Sequence, residues 1–102
     1  MILWQCFEWD ENKEIENIRK HKICFADATI VFSDKFLLKR YDEAHSLTES
    51  RYQILGRGSK ILFVVYTKRG IWTRIISARL ADKKEKEIYY GQNDKKDIVA
   101  WR

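Results

Sequence analysis

The longest unbroken run of apolar residues in the chain lies at residues 61–65. Because no polar residue alternates with the apolar ones, the run predicts a central strand over residues 61–67 that is covered on both faces. A Gly-containing turn at residues 68–70 separates it from a second apolar run at residues 71–79, which is the pattern of a β-hairpin. Further strands are predicted at residues 2–8, 36–41 and 51–55.

The first third of the chain has the spacing of two short amphipathic helices. Asp10 is a suitable N-cap for a helix over residues 11–21, whose first turn is acidic and whose last turn is basic. Apolar residues spaced i, i+3, i+4, i+7 then predict a second helix at residues 25–32. With a tight link between them, the two helices are expected to form a helical hairpin that covers a flat surface.

A third helix is predicted directly after the last strand. Asp82 and Glu85 have the spacing of a capping box, so the helix is expected to cover residues 83–90. Gly91 is expected to end it as the C′ residue.

These elements predict the α+β fold class. The strands are expected to form an antiparallel meander sheet of four to five strands, flanked by the N-terminal helical hairpin and the C-terminal helix. Residues 1–91 are expected to form a single domain, and residues 92–102 a polar tail.

Composition excludes several classes of protein. Hydrophobic residues make up 45% of the 102 residues, which is too many for a disordered chain. No apolar run approaches the ~20 residues of a membrane span, and the N-terminus lacks the features of a signal peptide. Cys6 and Cys24 stand far apart without a CxxC motif, and no cluster of metal ligands is visible. These features predict a cytoplasmic protein with free thiols, without a metal or cofactor.

Charge is distributed unevenly between the two halves of the chain. Residues 1–50 hold seven Lys/Arg and ten Asp/Glu, a net charge of −3, whereas residues 51–102 hold thirteen and five, a net charge of +8. This asymmetry indicates an anionic partner for the C-terminal half, with a solvated basic surface as the alternative.

Two strings of residues carry a resemblance to one known family. The first is Phe7-Glu8-Trp9-Asp10, Lys13, Asn17, Lys20-His21, Phe25, Ala28 and Phe32. The second is Asp42, His45, Arg51, Gly56, Arg74-Ile75-Ile76-Ser77-Ala78-Arg79, Ala81, Glu85 and Tyr89. Over residues 7–91 these strings resemble the BrnT family of bacterial type II toxins.

The resemblance implies a RelE-like fold and a ribonuclease that blocks translation. It also implies a tight complex with a BrnA-type antitoxin, whose ribbon-helix-helix part binds the DNA of the operon. The chain departs from the family at Lys22, where Gly is frequent, and at Cys24 and Asp82, where Ser or Thr is frequent. These departures weaken helix ends and leave the candidate site residues unchanged.

RNA can be cleaved without a metal when the protein supplies a base, an acid and cations at the phosphate. Arg74 and Arg79 are the first candidates for the cations. A guanidinium on a central strand needs an anionic partner, and its planar fork fits two phosphate oxygens. Arg51 on the neighbouring strand is expected to help.

Strand parity complicates this assignment. In a regular strand Arg74 and Arg79 point to opposite faces, so both can reach one phosphate only if the strand ends or bulges near Ala78. Otherwise one of them is a structural partner of an internal acid, for which Glu85 and Asp42 are the candidates.

Four further side chains could take part in catalysis. His45 is the leading base or acid, because imidazole titrates near neutral pH, and the alternative is a loop histidine that caps a backbone group. Glu85 could be a base, although its capping-box spacing already explains it. Tyr89, one helical turn later, offers either a hydroxyl to phosphate or a ring to the core, and Ser77 is a candidate phosphate donor. His21 is expected to be structural, at the end of the first helix.

The other lysines and arginines are expected to be mostly solvated. The other aromatic rings are expected to lie mostly in the core. As groups they could follow an RNA backbone and stack on unpaired bases. The cations are Arg57, Lys60, Lys68, Arg69, Lys83, Lys84 and Lys86. The rings are Tyr52, Tyr66, Trp72, Tyr89 and Tyr90.

Two functions from different classes fit the sequence. The first is a metal-independent endoribonuclease toxin that inhibits translation and is neutralised by its antitoxin. The second is a non-catalytic basic module that binds a partner protein or nucleic acid. Cleavage of RNA, and arrest of cells that express the protein alone, would distinguish the first from the second.

Overall fold

The computed structural model describes residues 6–92 and residue 101. Three α-helices and five strands alternate with two short 3₁₀ turns. The strands are β1 (Cys6–Glu8), β2 (Leu38–Tyr41), β3 (Arg51–Arg57), β4 (Ile61–Arg69) and β5 (Trp72–Leu80). The helices are α1 (Glu11–His21), α2 (Phe25–Ile30) and α3 (Lys83–Gly91), and the 3₁₀ turns are Val31–Ser33 and Glu43–His45. The start of the predicted first strand and most of the predicted tail lie outside the described residues.

The five strands form one sheet in the order β1-β5-β4-β3-β2. Strands β2 to β5 form the predicted antiparallel meander, with β4 at its centre, as the apolar run indicated. The prediction of a purely antiparallel sheet is wrong, because β1 pairs with β5 in parallel and makes the sheet mixed. A strand of three residues has too little pattern to reveal the direction of its partner.

The two faces of the sheet are covered by different helices. Helix α2 and the turn after it bury Phe25, Ala28 and Val31 against one face. Helix α3 buries Tyr89 against the end of the other face, next to Leu55. The predicted helical hairpin is not formed as such, because α1 and α2 each pack mainly against β5.

The helix starts follow their predicted caps. The Asp10 carboxylate accepts hydrogen bonds from the backbone N–H groups of Asn12 and Lys13, at 2.8 and 3.1 Å. Asp82 and Glu85 form the predicted capping box of α3. Gly91 is not a C′ residue as predicted, because it is the last residue of α3 and its φ is not positive. Lys22 does adopt the left-handed conformation, with φ of 61°, at a cost of about 1 kcal/mol relative to glycine.

Asn17 connects α1 to the edge of β5. Its side-chain amide donates to the Ala78 carbonyl at 2.8 Å, and its carbonyl accepts from the Ala78 N–H at 3.0 Å, as the backbone of a further strand would. The amide also donates to the carbonyl of Ile23 at 2.9 Å. Asn17 and Ala78 are both buried, so the Asn17 amide is the hydrogen-bond partner of the Ala78 backbone inside the protein.

We therefore expect Asn17→Ala to lower the free energy of unfolding by about 2–5 kcal/mol, because it leaves buried backbone groups unpaired. Urea denaturation measures this loss. Asn12→Ala is the matched control, because Asn12 lies on the same helix and is exposed. Equal stability of the two variants would show that the Asn17 bonds do not hold α1 on the sheet.

Candidate active site

A β-bulge in β5 decides which face its arginines share. Tyr66 of β4 pairs with Ile75, but the preceding residue, Val65, pairs with Ser77, so Ile76 has no partner. One extra residue reverses the alternation of side chains along the strand. Arg74 and Arg79 therefore lie on the same face of the sheet, the condition that the sequence required for them to act together.

This face is opposite α2, and its side chains form three rows across the strands. The first row is Arg51, Thr67, Arg74 and Glu8. The second row is Arg40, Gln53, Val65 and Ser77. The third row is Leu38, Leu55, Phe63 and Arg79. We call the surface formed by these three rows the arginine face.

The rows set the distances between the candidate residues. Neighbouring strands are about 4.8 Å apart and successive rows about 7 Å apart. The backbones of Arg51 and Arg74 are thus separated by about 10 Å across Thr67. Arg74 and Arg79 are separated by about 13 Å along β5, with Ser77 in the row between them. The arginines share a face, but their backbones do not converge on one point.

Arg51 and Arg74 both keep hydrogen-bonding capacity. The Nε–H of Arg74 donates a hydrogen bond to the Glu8 carboxylate at 3.2 Å. The terminal nitrogens of Arg74 have no hydrogen-bond partner among the described residues. Arg51 is 3.7 Å from the Glu49 carboxylate, and its buried Nε has no hydrogen-bond partner in the described part of the chain. The side chains of Arg74 and Arg51 are 27% and 29% exposed, so an anion can approach the outer nitrogens of both, whereas the Nε of Arg51 is shielded from it.

Arg79 is held more tightly than Arg74. Both of its terminal nitrogens donate to the Glu85 carboxylate, at 2.7 and 2.8 Å, and its guanidinium lies 4.1 Å from the centre of the Phe63 ring. The hydrogen bonds to Glu85 raise the pKa of Arg79 above its usual value. Glu85 also accepts from the backbone N–H of Asp82 at 2.8 Å. Of the two acids that the sequence offered as a structural partner, Glu85 is therefore the one that pairs with an arginine.

Asp42 pairs with His45 instead. The Nδ1 atom of His45 lies 3.1 and 3.2 Å from the two carboxylate oxygens of Asp42. Asp42 is 7% exposed, whereas the His45 side chain is 67% exposed. When neutral, His45 donates its Nδ1–H to Asp42, which leaves Nε2 as a proton acceptor.

Hydrogen bonds keep Asp42 charged in spite of its burial. Burial alone raises the pKa of Asp42, but hydrogen bonds from His45 and Gln53 outweigh it and hold the pKa below its usual value. Gln53 in turn accepts a hydrogen bond from the Nε of Arg40 at 2.6 Å. A chain of four side chains, Arg40, Gln53, Asp42 and His45, therefore fixes the imidazole.

The backbone pairing of Asp42 places these four hydrogen-bonded side chains beside the first row of the arginine face. The N–H of Asp42 donates to the Arg51 carbonyl at 2.8 Å, which continues the pairing of β2 with β3 by one residue. A cleft of about 650 Å³ opens here, lined by Arg40, Asp42, His45, Gln53, Trp101 and their neighbours. The ring of Trp101 lies 4.2 Å from the Arg40 guanidinium and packs edge-on against Phe63. The cleft is large enough for a nucleotide.

The sequence did not identify Asp42 as the partner of His45, nor Gln53 and Arg40 behind it. The available signal was the spacing of Asp42 and His45, because two residues three apart meet across a single 3₁₀ turn.

The remaining candidates lie in different surroundings. Tyr89 is buried in the core under α3, and its hydroxyl donates to the Asp34 carboxylate at 2.5 Å. Burial, followed by this bond, raises the pKa of Tyr89. Its hydroxyl is therefore already paired with Asp34 and is not exposed to a phosphate on the arginine face. Ser77 is half-buried in the second row of that face, and Lys83 and Lys84 are exposed on the first turn of α3.

Two further properties of the described residues concern metals and membranes. Residues 6–92 and 101 contain no group of three or more His, Cys, Asp or Glu side chains placed to hold a metal ion. Within the same residues, no helix has the length and apolarity needed to cross a membrane. Cys6 and Cys24 are both free thiols, as their spacing predicted.

The α+β fold agrees with the comparisons with known proteins. Residues 9–85 match the family model described as "Ribonuclease toxin, BrnT, of type II toxin-antitoxin system", which sets the class of protein: a ribonuclease toxin that is paired with an antitoxin. The match covers most of the chain, and the chain belongs to the BrnT family. The resemblance seen in the sequence is thereby confirmed.

One solved structure supports this assignment. The ribonuclease toxin BrnT of Brucella abortus, known from a crystal structure, is 26% identical to this chain and has a TM-score of 0.58. The match covers 78% of this chain and 100% of the Brucella chain. Among curated protein sequences, none matches this chain.

Proposed function

We propose that this chain is a metal-independent endoribonuclease that inhibits translation by cutting RNA in the cytoplasm. The observation that carries the proposal is the first row of the arginine face. It places Arg51 next to Asp42 of the Asp42–His45 pair and Arg74 two strands further along the same row, with the terminal N–H groups of Arg74 unpaired among the described residues. A base and two cations thereby lie on one accessible surface.

In the proposed reaction, Nε2 of His45 takes the proton from a ribose 2′-hydroxyl. The resulting oxygen attacks the adjacent phosphorus, and the bond from phosphorus to the 5′-oxygen breaks. Arg51 and Arg74 donate hydrogen bonds to the non-bridging oxygens, where negative charge accumulates in the transition state. A proton from the imidazolium or from water goes to the leaving 5′-oxygen. The products are a 2′,3′-cyclic phosphate and a 5′-hydroxyl.

The other candidate residues take supporting roles in this proposal. Ser77 lies one row from Arg74 and is placed to donate to a phosphate oxygen or a neighbouring ribose. The Arg79–Glu85 ion pair and the buried Tyr89 hold α3 in position at the end of the face. The two lysines at the start of α3 contact the RNA backbone. Asp42 acts through His45 and is a positioning residue.

The antitoxin is proposed to be a BrnA-like protein with a ribbon-helix-helix part. The family description names a toxin-antitoxin system, and the C-terminal half of this chain carries a net charge of +8. An antitoxin that covers the arginine face with acidic and apolar groups would block the access of RNA. Co-expression of the antitoxin is expected to relieve the growth arrest that the toxin alone causes.

The test of the proposal is incubation of the purified protein with single-stranded RNA in the presence of EDTA. We expect cleavage, because the protein's own side chains supply the base and the cations. The second candidate, a non-catalytic basic module, predicts RNA binding that weakens with salt and yields no cleavage products.

A further inference from the structure

A second groove lies beyond the end of the arginine face, where β3 ends and β4 begins. Its volume is about 370 Å³, and its lining includes Arg57, Ser59, Lys60, Leu80, Lys86 and Tyr90. Three of these side chains are cations, and none of the described lining residues is Asp or Glu. The groove therefore attracts an anion without an internal carboxylate in its walls to compete for it.

The groove also exposes apolar surface. Leu80 is 45% exposed and Tyr90 is 50% exposed, although both sit beside the α3 core. The Tyr90 hydroxyl accepts a hydrogen bond from the Arg57 guanidinium at 3.1 Å, which fixes the ring and keeps the cation beside it. An exposed aromatic face that is held by a cation matches the two halves of a nucleotide, because the base stacks and the phosphate pairs with the charge.

We infer that this groove binds a nucleotide of single-stranded RNA that flanks the cleavage position. The base lies against Tyr90 and Leu80, and the phosphate contacts Arg57, Lys60 and Lys86. Single-stranded RNA is favoured over a protein segment because three cations surround a small apolar surface. A docking protein would instead bury a larger apolar patch against fewer unpaired charges. The inference rests on the proposed function, which supplies the RNA.

The groove adjoins the third row of the arginine face along the chain. Leu80 follows Arg79 in the chain, and Lys86 follows Glu85, so the groove begins one residue past the Arg79–Glu85 ion pair. An RNA strand that leaves the third row crosses the first turn of α3, where two lysines are exposed, before it reaches Tyr90. The exposed Lys83 and Lys84 thus lie between the third row and the groove along the chain.

The experiment measures the affinity of the protein for an eight-nucleotide 2′-O-methyl RNA, which has no 2′-hydroxyl to react, by fluorescence anisotropy over a series of salt concentrations. Tyr90→Ala is expected to weaken binding about fivefold or more at every salt concentration, because it removes a stacking surface. Lys60→Ala is expected to flatten the slope of log K against log salt by about 0.7, because it removes one phosphate contact.

The control is the double variant Lys35→Ala, Phe36→Ala. It removes another exposed pair of a lysine and an aromatic ring, 5.2 Å apart, that does not line the groove. This variant is expected to bind the RNA like the wild type. Circular dichroism and thermal unfolding show whether each variant keeps its fold, which the exposure of Tyr90 and Lys60 leads us to expect.

Two results would overturn the inference. One is wild-type affinity and salt dependence in both groove variants. The other is unchanged RNA binding together with loss of antitoxin binding, which would make the groove a protein contact. The proposed nuclease activity is tested separately: binding without cleavage of natural RNA by the wild type would remove the nuclease and leave this nucleotide site standing.

Discussion

Replacing His45 with alanine is expected to lower the rate of RNA cleavage by about 10²–10⁴, the usual contribution of a general base. The RNA affinity is expected to change little, because the cations that bind phosphate remain. The imidazole is the only side chain of the cleft that combines high exposure with a buried carboxylate at its other nitrogen, among the described residues. Cleavage of a labelled RNA under single-turnover conditions measures the effect.

Asp42→Asn separates the orienting role of this carboxylate from simple packing. An amide has nearly the same shape but lacks the charge that stabilises the imidazolium and selects the Nδ1–H tautomer. Its cleavage rate should fall between those of the wild type and His45→Ala, with the fold intact. His21→Ala is the matched control, because His21 ends α1 and does not line the cleft around His45. If His45→Ala cleaves as fast as His21→Ala, His45 is not the base.

The second large effect is expected at Arg74. Arg74→Ala should lower the cleavage rate by about 10²–10³, since it removes donors aimed at the charge that develops on the phosphate. Arg74→Lys should recover only part of this loss, because an ammonium cannot reproduce the planar fork of a guanidinium. Single-turnover rates for both variants, with thermal unfolding as a check of the fold, measure the difference.

Arg69→Ala is the matched control for Arg74. Arg69 is also an arginine beside a carboxylate, 3.3 Å from Glu49, but it lies at the β4–β5 turn with its side chain 54% exposed. Its loss should leave the cleavage rate close to that of the wild type. Equal rates for Arg74→Ala and Arg69→Ala would mean that the first row of the arginine face does not contact the scissile phosphate.

Much of the fold was predictable because its signals are local. The caps at Asp10 and Asp82 act within one helical turn, and the apolar run in β4 reflects its place at the centre of the sheet. The parallel pairing of β1 was not predictable, because the partner of a three-residue strand is set by tertiary packing. The bulge at Ile76 was also not predictable: the two arginines needed it to share a face, but an unpaired residue within an apolar run has no sequence pattern of its own.

The residues of the candidate site were largely predictable, but which of them pair with one another was less so. The capping box already indicated that Glu85 has a structural role, and the structure pairs the same carboxylate with Arg79. Pairing of Asp42 with His45 depends on a 3₁₀ turn that is too short to have a periodic pattern. The first row of the arginine face joins four different strands, so only the register of the sheet reveals it.

The most direct test of the central claim is the cleavage of RNA by the purified protein in EDTA, with the ends of the products identified. The substrate is compared with the same RNA carrying a single 2′-deoxynucleotide at the main cleavage position. We expect cleavage without added metal, products that end in a 2′,3′-cyclic phosphate, and no cleavage at the deoxy position. Intact RNA in EDTA, or equal cleavage at the deoxy position, would contradict it.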